Sequence, residues 1–196
     1  MRSNLITTYK RLLHERPFVT NVLTSCTFMT AGDLLSQTIV RDNWNDYNLK
    51  QTLRFALAGL IFVGPVVRTC LVTIDKIYGP TRNLAILGKK LFLDQICIAP
   101  VFLACNITVL TLLKDGTFRE VENELKRSYF TILKMNYTFW PFVQILNFYF
   151  IPLTYRVLFG STAALIWNTL FSYRLYNKRT MMKQIEFDLE QLGKIK

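Results

Sequence analysis

Four side chains carry charge where charge is costly: Asp33, Arg68, Asp94 and Arg156 each lie inside a long apolar run. Ionisable groups in hydrocarbon are rare, and they usually face a bundle interior or a water-filled path. Gln37 follows Asp33 by one helical turn, and Gln144 and Asn147 are themselves one turn apart. Two readings of this set are open. The charges pair with one another and pin a bundle, or they line a hydrophilic conduit. Arg54 sits near the end of its run, where a long side chain can snorkel to the interface. Catalytic chemistry has little to build on. The single histidine is His14, outside the runs. Cys26, Cys70, Cys97 and Cys105 lie inside the runs without a CxxC pair. They read as small buried hydrophobes rather than a disulfide or zinc framework. Asp33 and Asp94 as an acid/base pair would lack a nucleophile, a metal cluster and a phosphate-binding glycine loop. The expectation is no enzyme, no cofactor and no metal.

The elements that must position these residues are helices. Phe18–Val40, Thr52–Ile74, Leu91–Leu113 and Met135–Tyr173 hold one, two, one and one charges respectively. Crossing a hydrocarbon core takes about 20 mostly apolar residues. A soluble helix keeps a charged face, and none of these runs has one. The fold expected is an all-α integral membrane bundle of about four transmembrane helices, some kinked by proline. In the first span, Cys26, Thr30, Asp33 and Gln37 form one stripe. Thr20, Thr24, Thr27, Ala31 and Thr38 form a second, suited to close packing. Gly59, Gly64 and Pro65 interrupt the second span and Pro100 the third, as sites of kinking or packing. Asp75–Lys90 reads as a basic loop with Gly79-Pro80 as a turn. Thr117-Phe118-Arg119-Glu120 reads as a capping box. It opens an interfacial amphipathic helix within Lys114–Lys134 that runs into the last segment. Met135–Tyr173 is too long for one straight span. Trp140-Pro141 and Pro152 make it either a re-entrant stretch plus a span or one long kinked span.

The chain divides into a basic amphipathic segment 1–16, a single multi-span domain 17–173 and a charged, helical tail 174–196. Pro17 falls in the first turn of the first span. Trp44 and Tyr47 in the first connector suit the bilayer interface. The net charge is +11. Its basic residues flank apolar runs, as juxtamembrane Lys and Arg do, and no nucleic-acid motif accompanies them. The expected partners are therefore the lipid bilayer and small-molecule solutes, with homo-oligomerisation left open and no direct nucleic-acid binding. The Lys/Arg count places both tails and the Asp75–Lys90 segment on one side. Segment 1–16 has no secretory h-region and suits either a mitochondrial targeting element or a membrane-surface helix.

Several motifs then converge. Asn136-Tyr-Thr-Phe-Trp140-Pro141-x-x-Gln144-x-x-Asn147-Phe148-x-x-x-Pro152-x-x-x-Arg156, followed by Trp167-Asn168-x-x-x-Ser172, resembles the C-terminal signature of the Mpv-seventeen/PMP-twenty-two family of small organelle membrane proteins. Gly32-Asp33-x-x-Ser36-Gln37, Arg54-x4-Gly59-x4-Gly64-Pro65 and Lys90-x3-Asp94-Gln95-x4-Pro100 resemble its other motifs. Two departures stand out: Arg68 occupies the family's usual histidine position, and Tyr137 stands where the family prefers Trp. The resemblance implies four membrane helices in the mitochondrial inner membrane or the peroxisomal membrane. It also implies a weakly selective channel for small solutes, supporting organelle metabolite supply and mitochondrial DNA homeostasis. The basic N-terminus favours mitochondria. The alternative is a non-transporting scaffold or assembly factor, with Lys114–Lys134 and the tail as docking surfaces.

Overall fold

A computed structural model describes residues 5–40, 47–79 and 83–168. Apart from short connections these residues are helical, and no strand occurs among them. The helices are α1 (Leu5–Glu15), α2 (Pro17–Val40), α3 (Leu49–Tyr78), α4 (Leu84–Leu112), α5 (Phe118–Phe150) and α6 (156–168). Expectations for Trp44, Pro80, residues 169–173 and the tail 174–196 lie outside the described residues. α3 and α4 are long and apolar enough to cross a membrane.

The bundle is built inside out relative to a water-soluble one. Leu53, Ile61, Phe92, Val101, Phe142 and Phe150 are exposed, whereas Asp33, Asp75, Lys90, Asp94 and Arg156 are buried. Lys90, at 1% exposure, is the largest fully buried side chain among the described residues. An exterior of aliphatic and aromatic side chains over a charged interior is the arrangement hydrocarbon selects.

α2 and α3 pack antiparallel at very short range, and two glycines make this possible. A Cβ on Gly59 would stand 2.8 Å from the Cys26 Cα, and one on Gly64 would stand 2.8 Å from the Val22 Cα. The close-packing face of α2 is therefore the Val22–Cys26 side. The second stripe splits. Thr20 and Thr24 are buried under α1, where Thr20 Oγ1 donates to Leu12 O at 3.0 Å and Tyr9 shares a 2.9 Å hydrogen bond with Thr24. Thr27 and Thr38 are exposed. The segment before Pro17 is thus a helix folded against α2, with Leu13 buried.

Pro65 and Pro100 do not break their helices. Each follows a wide π turn, at Gly59–Val63 and Leu93–Ile98, in which Gly64 N–H reaches Gly59 O and Ala99 N–H reaches Asp94 O. One extra residue per turn relieves the clash between a proline ring and the preceding turn.

Two expectations are corrected, for the Asp75–Lys90 loop and for Pro141. The Asp75–Lys90 loop shrinks to the residues between Tyr78 and Leu84, with Gly79 turning at φ 72°, because both flanking helices continue through their charged ends. The Thr117 capping box forms, with Thr117 N–H donating to Glu120 Oε2 at 2.6 Å. Its helix continues into the last segment, as expected. It runs unbroken to Phe150 and lies along α4, with Tyr129 Oη donating to Pro100 O at 3.3 Å and Tyr137 Oη to Gln95 O at 2.9 Å. Pro141 sits inside this helix without ending it, so the break comes only at Ile151-Pro152.

After that break α6 turns back beside α5. The Trp167 ring lies 5.2 Å from Phe139, and Asn168 reaches Gly32. This hairpin rules out one long kinked span. It also carries Asn168 to the end of the bundle away from Pro17.

Gly59→Ala and Gly64→Ala should each lower the thermal unfolding midpoint, at a cost of about 1–3 kcal/mol for overpacking against backbone. At Gly88 a Cβ would meet open space, with nothing within 4 Å, so Gly88→Ala should hold or raise the midpoint. Circular dichroism in detergent measures all three, and equal behaviour of the three variants would contradict this packing.

Candidate functional site: a charged and amide-lined interior

The interior polar groups gather toward opposite ends of α3. At its start, α2 and α3 enclose Asp33. Gln37 Nε2 donates to Asp33 Oδ2 at 2.6 Å, Thr52 Oγ1 to the same oxygen at 2.5 Å, and Gln51 Nε2 to Oδ1 at 2.7 Å. The i,i+4 spacing of Asp33 and Gln37 places both toward α3. Asn48 caps α3 by accepting from Gln51 N–H, which fixes where Gln51 and Thr52 enter the cluster. Neutral donors alone thus solvate a carboxylate that has no cation within ion-pair distance among the described residues. Nearby, at the surface, Arg54 Nη2 pairs with Asp115 Oδ2 at 3.0 Å, and Asp115 is 93% exposed. The Arg54 head group therefore reaches outward from its helix end, as snorkelling requires.

The other end of α3 is ionic. Asp75 Oδ1 accepts from Lys90 Nζ at 2.5 Å and from Arg156 Nη1 at 2.6 Å. All three side chains are buried. Phe148 supplies its ring face to both cations, 5.9 Å from Lys90 Nζ and 5.3 Å from Arg156 Cζ. Cation–π attraction gains strength where water is excluded. Arg156 also donates through Nε to Ile151 O at 2.9 Å, so it clasps the carbonyl freed by the Pro152 break. The apolar cluster Leu71, Ile74, Phe148 and Val157 closes around the triad.

One turn further along α4 lies an amide network. Gln95 Nε2 and Gln144 Nε2 donate to Asp94 Oδ2 at 2.6 and 2.8 Å, and Asn147 Nδ2 donates to Gln144 Oε1 at 3.0 Å. Consecutive residues Asp94 and Gln95 both point inward because they occupy the π turn, which spreads one helical turn over more residues. Gln95 Oε1 and Asn147 Oδ1 are buried acceptors without a protein donor among the described residues. Buried acceptors of this kind call for water or a cationic partner.

The four intramembrane charges singled out in the sequence do not pair with one another. Asp33 and Asp94 take neutral donors, Arg156 takes Asp75, and Arg68 makes one long contact, from Nη1 to Leu153 O at 3.5 Å. Gln37, Gln144 and Asn147 do join these clusters, as carboxylate or amide partners. Trp140 packs edge-on against Phe139 beside Pro141. The cysteines differ from expectation: Cys97 and Cys105 are exposed and Cys26 and Cys70 half-buried, because small residues are tolerated on the outward face as well. Sequence reasoning misses Asp75, Gln51 and Thr52 as site residues and meets Lys90 only as a motif position. The signal lies in register: Asp75 follows Arg68 by seven residues, and Lys90 precedes Asp94 by four, so each continues a polar stripe.

The chain is 35% identical over 169 residues to the Homo sapiens mitochondrial inner membrane protein Mpv17, covering 86% of this chain and 96% of that protein. It belongs to the Mpv17 / PMP22 family. The Xenopus laevis Mpv17 protein is 34% identical over 167 residues, covering 85% of this chain and 94% of the relative. The Caenorhabditis elegans one is 31% identical over 164 residues, covering 84% and 89%. The Mpv17 / PMP22 family model matches residues 111–172, which include Gln144, Asn147, Pro152 and Arg156. No solved structure matches the chain.

Removing one partner of a buried ion pair leaves an uncompensated charge. Asp75→Asn should therefore cost about 3–5 kcal/mol, since it strands two cations. Lys90→Met and Arg156→Met should each cost less, because Asp75 keeps its other partner. Thermal or denaturant unfolding of the three variants gives the order, and a Lys90→Met loss as large as that of Asp75→Asn would refute the triad.

Proposed function

We propose that the chain is a multi-pass protein of the mitochondrial inner membrane that forms a weakly selective channel for small solutes, in support of metabolite supply and mitochondrial DNA homeostasis. The names of its relatives support the localisation, and the antiparallel stacking of α2 to α6 supports four or more membrane crossings. The observation that carries the channel reading is the interior itself. Asp33 and Asp94 are buried without a cation partner among the described residues, and unpaired amide oxygens sit beside Asp94, inside a bundle whose exterior is apolar. Such groups are stable where water reaches them, and a hydrated file through a membrane bundle is a conduction path. The same residues offer no nucleophile–base pair, and no His/Cys/Asp/Glu metal cluster occurs among the described residues, so the reading is transport rather than catalysis. The peroxisomal membrane is the alternative site.

A scaffold reading rests on a different feature. The first half of α5 exposes Arg119, Glu122, Lys126 and Arg127, and a groove lined by Thr111, Lys114, Glu120 and Glu124 opens beside it. Mixed charge of this kind suits a polar partner surface.

Purified full-length protein in planar bilayers should conduct, and Asp94→Asn should shift the reversal potential under a salt gradient toward anions, because a fixed negative charge is removed from the path. A well-folded preparation that stays silent over the full voltage range would sink the channel reading and leave the scaffold.

A further inference from the structure

Arg68 is a cation without a counter-ion among the described residues. It is half-buried on α3, inside the apolar run, and its one hydrogen bond there is the 3.5 Å contact to Leu153 O. No carboxylate of the described residues lies within ion-pair distance of it. The next carboxylate along the same face of α3 is Asp75, two turns on, and Asp75 already accepts from Lys90 and Arg156 through one oxygen. The turn into α6 brings these groups together. Arg68 meets Leu153, and Arg156 follows three residues later in the same turn and holds Ile151 O. Three cations, Arg68, Lys90 and Arg156, thus stand against two carboxylates, Asp75 and Asp94, at this end of the bundle, an excess of one positive charge. A buried positive charge without a counter-ion is costly until an anion offsets it.

We propose that Arg68, with the Asp75–Lys90–Arg156 triad behind it, binds a phosphate-type oxyanion at the Ile151–Tyr155 turn. A guanidinium presents parallel N–H donors that match two oxygens of a phosphate, and the Arg68 fork has nearly all its donors free. A phosphate oxyanion offsets the excess charge and matches the guanidinium fork with two of its oxygens. Lys90 and Arg156 are held by Asp75, so they act through their field while Arg68 makes the contact. The phosphate arrives on a free solute or on a lipid head group, and the two sources separate by experiment. The proposal does not depend on conduction, since its readout is binding.

The full chain is purified into nanodiscs of phosphatidylcholine alone, and inorganic phosphate labelled with ³²P is titrated at pH 8, where an unperturbed histidine is neutral. In a parallel arm without free phosphate, the discs contain phosphatidylglycerol or cardiolipin, and native mass spectrometry counts the anionic lipids retained. Arg68→Gln and Arg68→His should weaken whichever binding the wild type shows by about tenfold or more, the loss expected for a charge-assisted hydrogen-bond pair. Lys76→Gln, an exposed cation on the same helix, should leave it unchanged. Loss confined to the phosphate arm identifies a soluble ligand, and loss confined to the lipid arm identifies a head group. Binding in neither arm, or equal binding by wild type and Arg68→Gln, overturns the proposal. Should Arg68→Gln fail to fold, Arg68→Lys keeps the charge and loses the fork. Its affinity must then fall below that of wild type for the assignment to stand.

Discussion

The burial of Asp75 between Lys90 and Arg156 is the constraint on which this bundle turns. A carboxylate and two cations taken out of water each carry a desolvation cost of several kcal/mol, and only close mutual contact offsets it. The contact joins three helices, the last of them far along the chain from the first two. Asp75 lies near the end of α3, Lys90 early in α4, and Arg156 starts α6. Once these three meet, the order of the helices at that end is fixed. Phe148 must lie over both cations, and α5 must end where its ring can reach them. The break at Pro152 follows from the same geometry, since Arg156 can hold both Asp75 and Ile151 O only if the chain reverses between them.

At the opposite end the physics is different. Asp33 is satisfied by Gln37, Gln51 and Thr52, with no ion pair among the described residues. Neutral donors hold a carboxylate in place but leave its charge uncancelled, so that end stays electrostatically active. A bundle with an ionic clasp at one end and a solvated anion at the other has a polarity along its axis. The glycines at 59 and 64 stand between the two, where α2 and α3 touch backbone to backbone. Close apposition at mid-bundle and polar clusters at both ends divide the labour: packing specifies which helices meet, and hydrogen bonding sets their register.

How much of this is legible in the sequence depends on whether the signal is local. The Thr117–Glu120 capping box is a four-residue device, and it forms as read. Gly59 and Gly64 announce close approach wherever they sit in a span, and the approach is there. The register of Asp33 and Gln37 is set by helical periodicity alone. Asp75 and Lys90 escape notice because a charge after an apolar run reads as the end of the run. Nothing close to Asp75 in the chain tells that Arg156 comes to meet it. The prolines show the same limit. Pro141 and Pro152 look equivalent on paper. Pro141 is held in a continuous helix because α5 is pinned to α4 on both sides of it, by Tyr137 to Gln95 and by Gln144 to Asp94. At Pro152 the helix ends, and Arg156 beyond it takes up the Ile151 carbonyl.

The short gap between α3 and α4 bears on how the chain enters a membrane. Asp75 and Lys90 face each other across it, so a nascent hairpin of these two helices neutralises this pair of charges before α5 and α6 are made. It can pass into lipid as a pair, where either helix alone would carry a bare ion at that end. Arg156 is synthesised later and joins a site already near neutrality. Its arrival leaves a surplus positive charge at that end.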